Sequence, residues 1–216
     1  MDSSVVTALA REAGFEVHAL TIRYGQRHVV EIEFARKQLK SQKIANHIVL
    51  ELNLAQFGGS VLTTMEPVPT GKRPEGSDPI PPTYVPARNT VFLSVALSLA
   101  EAIGSRDIFI GVSAVDYSGY PDCRPEFIEA FETLANLGTR AAAGDSPYRI
   151  HAPLLYLSKE QTVMEGLRLG LDFADTRTCY NPNDSGYPCG VCEACQLRAK
   201  GFKGLGLEDP LERRDN

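Results

Sequence analysis

Apolar residues along this chain switch repeatedly between two periods, and that alternation restricts the fold more than any other feature. Ser3 to Ala13 carries Val5, Val6, Leu9 and Ala10 on one helical face, with Gly14 just past its end. Glu16 to Ile22 (EVHALTI) then reads as a strand. Val29 to Gln42 returns to the helical period through Ile32, Ala35 and Leu39, and His47 to Leu52 is a second strand. Arg88 to Ile103 is a long apolar helix, Asp107 to Val112 (DIFIGV) a strand, and Pro125 to Leu137 a helix. Arg149 to Leu154 reads as a short strand, and Ser158 to Leu169 as a helix closed by Gly170. Short apolar strands separated by helices predict an α/β fold: a parallel sheet covered on both faces, with right-handed crossovers. Ligands on such sheets gather at the carboxyl ends of the strands, so the loops after Ile22, Leu52 and Val112 are where chemistry is expected.

Two segments depart from the alternation. Phe57 to Tyr84 is rich in Gly, Pro, Ser and Thr, and includes Asp78-Pro79-Ile80-Pro81-Pro82. A loop this long inside one domain is usually a functional lid or a mobile segment. The second is C-terminal, where Cys179, Cys189, Cys192 and Cys195 follow the spacing C-x9-C-x2-C-x2-C. Four thiolates so close, in a segment too short for its own core, point to a tetrahedral Zn²⁺. Four thiolates fill that shell and leave no position for water, so the metal is expected to be structural. Two disulfides or four free thiols are the competing reading, but nothing else in the chain looks secreted. A short helix near Glu193 to Lys200 and a polar tail complete the chain.

At 216 residues, one domain with appendages is expected. No apolar run approaches a membrane span and no signal peptide opens the chain, which together with reduced cysteines points to the cytoplasm. A net charge of -5 argues against a protein built chiefly to grip a nucleic-acid backbone, though not against a small anion in a local positive pocket.

Candidate site residues follow from this layout. Arg88 and Asn89 open a long helix after Pro86, where a helix dipole and a guanidinium would both favour an anion. Lys159 also opens a helix; a solvated surface lysine is the alternative. Asp116, Tyr117, Tyr120, Asp122 and Arg124 occupy the loop after DIFIGV, at the ligand end of the sheet. A polar turn built on Ser118-Gly119 and Pro121 is the alternative. Gln26, Arg27 and His28 face the same end, with His28 expected as a structural partner and not a catalyst.

Several motifs in one order carry a specific resemblance: Tyr24-Gly25-Gln26-Arg27-His28, Val85-Pro86-Ala87-Arg88-Asn89, Gly111 to Phe127, Thr178-Cys179-Tyr180 and the cysteine spacing. Together they resemble the 7-cyano-7-deazaguanine synthase family of the queuosine pathway, within the PP-loop ATP pyrophosphatases, over nearly the whole chain. The resemblance implies a Rossmann-like nucleotide-binding domain at 1–175 and a zinc-binding segment at 176–216. It implies ATP with Mg²⁺, 7-carboxy-7-deazaguanine and ammonia as substrates, and a homodimer. It assigns Asp2, Ser3 and Lys159 to catalysis, and Asp2, Ser3, Arg88 and Asn89 to nucleotide binding. Asp116, Tyr117, Asp122 and Arg124 would bind the deazaguanine, without distinguishing which aspartate reads the base.

The superfamily's phosphate loop reads SGGxDS, and this chain shows only its last part, as Met1-Asp2-Ser3. The expectation is therefore that the first strand and the Ser-Gly-Gly are missing, through a miscalled start or a fragment, with poor solubility or inactivity as the consequence. An upstream reading frame encoding a strand ending in Ser-Gly-Gly is its test. Rival readings are another PP-loop ligase or tRNA-thiolating enzyme, a zinc-knuckle RNA-binding protein resting on Tyr180, Tyr187, Arg198, Lys200 and Lys203, and a pseudoenzyme.

Overall fold

A computed structural model describes residues 1–26, 30–71, 76, 78–115, 119–144 and 146–211. Its principal elements are α1 (Asp2–Glu12), β1 (His18–Arg23), α2 (Val30–Ser41), β2 (Asn46–Glu51), α3 (Arg88–Ile103), β3 (Asp107–Phe109), α4 (Pro125–Leu137), β4 (Arg149–His151), α5 (Lys159–Arg168) and α6 (Glu193–Gly204). The expected α/β order is present, and every strand pairing is parallel.

The sheet is interrupted. β1 pairs with β2 from His18↔Asn46 to Arg23↔Glu51, and β3 pairs with β4 from Asp107↔Arg149 to Phe109↔His151. These are two separate two-stranded sheets. A cavity of about 660 Å³ lies between β1 and β3. It accounts for β1 burying only Ile22.

Two layers of helix cover β3. Ile108 belongs to a core with Leu93 and Leu97 of α3 and Ile128 and Phe131 of α4. Phe109, the next residue, packs instead against Val5 and Val6 of α1 and Val163 of α5. Successive strand residues point to opposite faces, so these clusters lie on the two sides of the strand. Each fully buried apolar side chain in them contributes about 1.5–3 kcal/mol.

Local signals explain the helix ends. Gly104, at φ 75, closes α3 in the left-handed conformation that glycine adopts without steric cost. Pro125 stands at the first turn of α4, where its missing N–H costs nothing. Ser158 caps α5 through a reciprocal capping box with Gln161. The segment 57–84 is packed where described: Ser60, Val61, Leu62 and Thr83 are buried, Val61 N–H donates to the Pro82 carbonyl, and Thr70 bridges to Cys192. Its described part is a strap across the cysteine segment and not the free lid that its composition suggests. Among the described residues, no helix is long and apolar enough to cross a membrane.

Candidate functional site

Both strands flanking the cavity run the same way. α1 begins beside Gly111, just past β3, where an added Cβ would lie 3.1 Å from Ser3 N. α1 then leads through Phe15, packed edge-on against Phe109 at 5.0 Å, into β1. Tyr24, after β1, lies 5.5 Å from Phe92 of α3, so the carboxyl ends of β1 and β3 and the N-termini of α1 and α3 share one end of the molecule. This is the end where the strand pattern places ligands.

Arg88 dominates this end. Its guanidinium sits 5.9 Å from the Tyr24 ring and 5.8 Å from the Phe92 ring. Burial works against its charge, but Tyr24, Asp122 and Cys123 outweigh that and hold its pKa above the ordinary arginine value. Ala87, just before it, adopts φ 53, uncommon for a residue with a side chain. Its N–H donates to Tyr84 Oη at 3.0 Å.

Asn89 and Asp122 lock each other. Asp122 Oδ2 accepts from Asn89 N–H at 3.0 Å, and Asn89 Nδ2 donates to the Asp122 carbonyl at 2.9 Å. Both are buried. Asp122 thus supplies the carboxylate that the N-terminus of α3 favours, and it joins the loop after β3 to Arg88. Cys123 accepts from Asn89 at 3.4 Å, and burial pushes its thiol up to about 12, so it is an inert core residue.

Lys159 is not a surface lysine. Its side chain is 5 % exposed, and its Nζ donates to both Asp2 carboxylate oxygens, at 2.9 and 3.0 Å. The close approach of α6 helps to bury it: a Cβ at Gly201 would lie 2.8 Å from Lys159 Cγ. Ser3 is exposed on the first turn of α1, whose N-terminus has no side-chain cap. The structure therefore brings Asp2, Ser3 and Lys159 together at one helix start, and Arg88, Asn89 and Asp122 at another. Asp2, Ser3, Arg88 and Asn89 line the cavity. Arg124 is exposed at the N-cap of α4 and is not among the lining residues. Asp116 and Tyr117, like Arg27 and His28, lie outside the described residues.

The four C-terminal cysteines converge. Their sulfurs all lie within 4.8 Å of one another, and Cys179 and Cys192 are 4.0 Å apart. Thiolates at about 2.3 Å from a tetrahedral Zn²⁺ stand about 3.8 Å from each other, so the donor set fits such an ion. Backbone N–H groups of Tyr180, Asn181, Cys189 and Cys192 point at sulfur, at 3.2 to 3.5 Å, and favour thiolates. All five cysteines of the chain are unpaired, which removes the disulfide reading.

The cluster is wired to the cavity. Tyr180, next to Cys179, packs with Val61, Leu62, Val85 and Tyr24, and its hydroxyl is 3.4 Å from that of Tyr120. Tyr120 Oη in turn lies 2.7 Å from Thr83 Oγ1. Two arginines complete the support, and Arg198, which the sequence offered to a nucleic-acid surface, is buried instead. The Arg177 guanidinium stacks 3.6 Å from the centroid of Phe34 and donates to the carbonyls of Ala174, Thr176 and Gly186. Arg198, buried, pairs with Asp209 at 2.6 and 2.9 Å and binds Thr176 Oγ1 and the Phe173 carbonyl. No periodic pattern announces either role, because backbone carbonyls and a single carboxylate as partners leave no signature in the sequence.

Comparison with known proteins gives the family. Residues 1–206 match the family model described as queuosine biosynthesis protein QueC. A 7-cyano-7-deazaguanine synthase of Syntrophotalea carbinolica is 56% identical over 97% of this chain and 91% of that protein. Proteins of the same name from Stenotrophomonas maltophilia and Geobacter sulfurreducens are each 52% identical, over 97% and 98% of this chain and 93% and 88% of theirs.

Proposed function

The chain belongs to the queuosine biosynthesis protein QueC family, and we propose from that premise that it converts 7-carboxy-7-deazaguanine to 7-cyano-7-deazaguanine with ATP and ammonia. The observation that carries the reading is the pair of cationic helix starts at one end of the sheet, Lys159–Asp2 beside α1 and Arg88 at α3, in a chain with this family match.

A carboxylate is a poor electrophile because its negative charge shields the carbon. Attack of a carboxylate oxygen on the α-phosphorus of ATP releases pyrophosphate and makes AMP the leaving group. Ammonia then adds at the carbonyl carbon, and AMP leaves to give the amide. A second ATP adenylates the amide oxygen; loss of AMP and of the nitrogen-bound protons leaves the nitrile. Each transfer builds negative charge on phosphate oxygens, which fixed cationic donors stabilise. The uncapped amides of α1, with Ser3 Oγ, suit the phosphates. Lys159 supplies charge there and is held in place by Asp2, which also suits Mg²⁺. Arg88 faces the cavity and is positioned by Asn89 and Asp122. Mg²⁺, when bound with ATP, neutralises phosphate charge. In the same reading Tyr117 and Asp116 or Asp122 read the deazaguanine, while Arg124, expected to meet its carboxylate, is exposed and off the cavity wall. Asp122, already committed to α3, is better placed to orient Arg88 than to read the base.

We assign the ion of the Cys179–Cys189–Cys192–Cys195 cluster as Zn²⁺ in a structural role. It would tie the strap 57–84 and Tyr180 to the wall of the cavity. The reaction class is a ligase forming carbon–nitrogen bonds, and residues 1–175 and 176–216 would divide catalysis from clamping.

Mass spectrometry of a reaction containing ATP, Mg²⁺, ammonium and 7-carboxy-7-deazaguanine tests the reading. The nitrile is expected, with AMP and pyrophosphate formed in step. Failure of the carboxylate to disappear, together with a salt-sensitive RNA mobility shift, would replace it with the knuckle-based RNA-binding reading.

A further inference from the structure

Glu31 is a carboxylate among groups that attract anions. It lies in the first turn of α2 and lines the cavity together with Asp2, Ser3, Tyr24 and Arg88. It is open to that space, whereas Ile32 and Phe34 beside it are buried. An acidic residue in the first turn of a helix ordinarily serves the helix dipole, as the exposed Glu33 can here. That duty would lower the pKa of the carboxyl. Glu31 goes the other way: enclosure by protein raises it, and attraction to the Met1 amino group and Arg88 offsets only part of the rise. The Tyr24 phenol, itself pushed up by burial, is the other titratable group that bears on it.

The neighbouring charges are engaged elsewhere. Asp2 accepts from Lys159, and Asp122 accepts from the Asn89 N–H. Arg88 donates through Nε to Asn89 Oδ1 at 3.3 Å and lies near the Tyr24 and Phe92 rings. Among the described residues, Glu31 has no hydrogen bond or ion pair through its side chain. A lone carboxylate at an end that gathers phosphates repels the anionic reactants, and the cost is larger inside a protein than in water. A cationic reactant reverses that sign. Of the substrates proposed above, ammonium is the cation.

We propose that Glu31 binds the ammonium ion in this cavity and is the base that converts it to ammonia. The chemistry rests on the nitrile-forming reaction proposed above. One proton passes from ammonium to a Glu31 carboxylate oxygen, leaving neutral ammonia and a carboxylic acid. The freed lone pair forms the C–N bond at the carbonyl carbon of the adenylated carboxylate. The C–O bond to AMP breaks, its electron pair leaves with AMP, and the surplus proton on nitrogen goes to the AMP phosphate. Glu31 then gives its proton to water. An enclosed carboxyl is a stronger base than an exposed one, which suits this transfer.

Carboxyl ¹³C NMR of the whole chain labelled at glutamate tests the site without turnover, with Glu31→Gln identifying the signal. Ammonium chloride should shift that signal. Tetramethylammonium chloride at equal ionic strength, which has the charge but no N–H, should not. A signal indifferent to ammonium, whether or not Mg²⁺ moves it, overturns the proposal. In turnover, Glu31→Gln should keep its Tm and the first release of pyrophosphate, and lose about 100-fold in amide formation near neutral pH. The deficit should narrow as pH rises and ammonia becomes neutral in solution. Hydroxylamine, already neutral near pH 7, should give the hydroxamate at close to the parental rate. Glu31→Asp should recover part of the loss. A deficit of the same size at every pH, or with hydroxylamine, would make Glu31 a structural residue and overturn the proposal. An ammonium-sensitive Glu31 in a chain that makes no nitrile would keep the ammonium site and remove the proposed reaction alone.

Discussion

The cysteine cluster and the slot between β1 and β3 are neighbours, and Cys179 lines both. In the cluster, donors and acceptors find partners within one short segment: amides of 180, 181, 189 and 192 reach sulfurs of 179, 189 and 192. Along the slot, two strand edges face each other across 660 Å³. The contrast shows that local closure and sheet closure are independent in this fold. A short loop with a metal can order itself, whereas a parallel sheet is assembled from segments far apart in the chain. If that is right, damage to the cluster should loosen the strap and Tyr180 while leaving the pairing of β1 with β2 intact.

Cys192→Ser makes the largest break. Cys192 is fully buried and receives the Tyr180 amide. Metal binding and folding are coupled in such sites, at about 10–16 kcal/mol in isolated zinc fingers. Zinc content measured by mass spectrometry should fall to near zero, and Tm should fall by about 10 °C or more. Zinc retained at one equivalent with unchanged Tm would show that this thiolate is not a ligand.

Asp209→Ala comes next. Arg198 and Asp209 have side chains 3 % and 6 % exposed, and Arg198 also holds Thr176 and Phe173, two residues on the approach to Cys179. Removing the carboxylate leaves a buried guanidinium without its counter-charge, at a cost of about 3–5 kcal/mol. Urea denaturation should show it as a lower midpoint at unchanged slope. A double change to Arg198→Met and Asp209→Leu should recover much of the loss, because it removes both desolvated charges. If the single change is neutral, the pair does not brace the cluster.

Gly201→Ala probes the seam between the C-terminal segment and the proposed phosphate end. The added methyl meets Lys159 Cγ at 2.8 Å and its carbonyl at 3.1 Å. Overpacking costs about 1–3 kcal/mol, against about 1 kcal/mol gained in helix propensity, so a net loss of about 1 kcal/mol is expected. Because Lys159 holds Asp2, the variant should lose more activity than its stability change explains. Activity falling only in proportion to folded protein would detach Lys159 from the reaction.

How much of this was legible beforehand depends on where the determinant lies. α3 at Arg88–Ile103 and α4 at Pro125–Leu137 match the sequence reading at both ends, because Gly104 and Pro125 punctuate them locally. The strand expected at Asp107–Val112 shortens to Asp107–Phe109, and that expected at Arg149–Leu154 to Arg149–His151. A strand's length is set by its partners, and β3 has one on a single side. The cysteine ligands were readable from spacing alone. Lys159–Asp2, 157 residues apart, could be joined only through the family resemblance, and Arg198–Asp209 not at all, since no periodicity encodes which carboxylate a buried cation will meet.

The smallest effect expected lies on the strand pair next to the slot. His47 of β2 contacts Thr21 of β1 through Nε2 and Oγ1 at 2.9 Å. Burial, with Arg36 adding to it, holds its pKa below the ordinary value of 6.5. The unfolded chain therefore binds a proton near pH 6.5 that the folded chain resists. The folded state suffers no penalty above that pH and loses stability as pH falls below it. His47→Gln keeps a polar partner for Thr21 and removes the titration. The difference in stability between pH 7.5 and pH 5.5 should shrink slightly in the variant, read from urea midpoints. Protection factors at residues 18–22, taken relative to the intrinsic exchange rate at each pH, should fall on acidification in the parent and less in the variant, since His47 reports on the β1–β2 ladder. Cys192→Ser should leave that pH response in place.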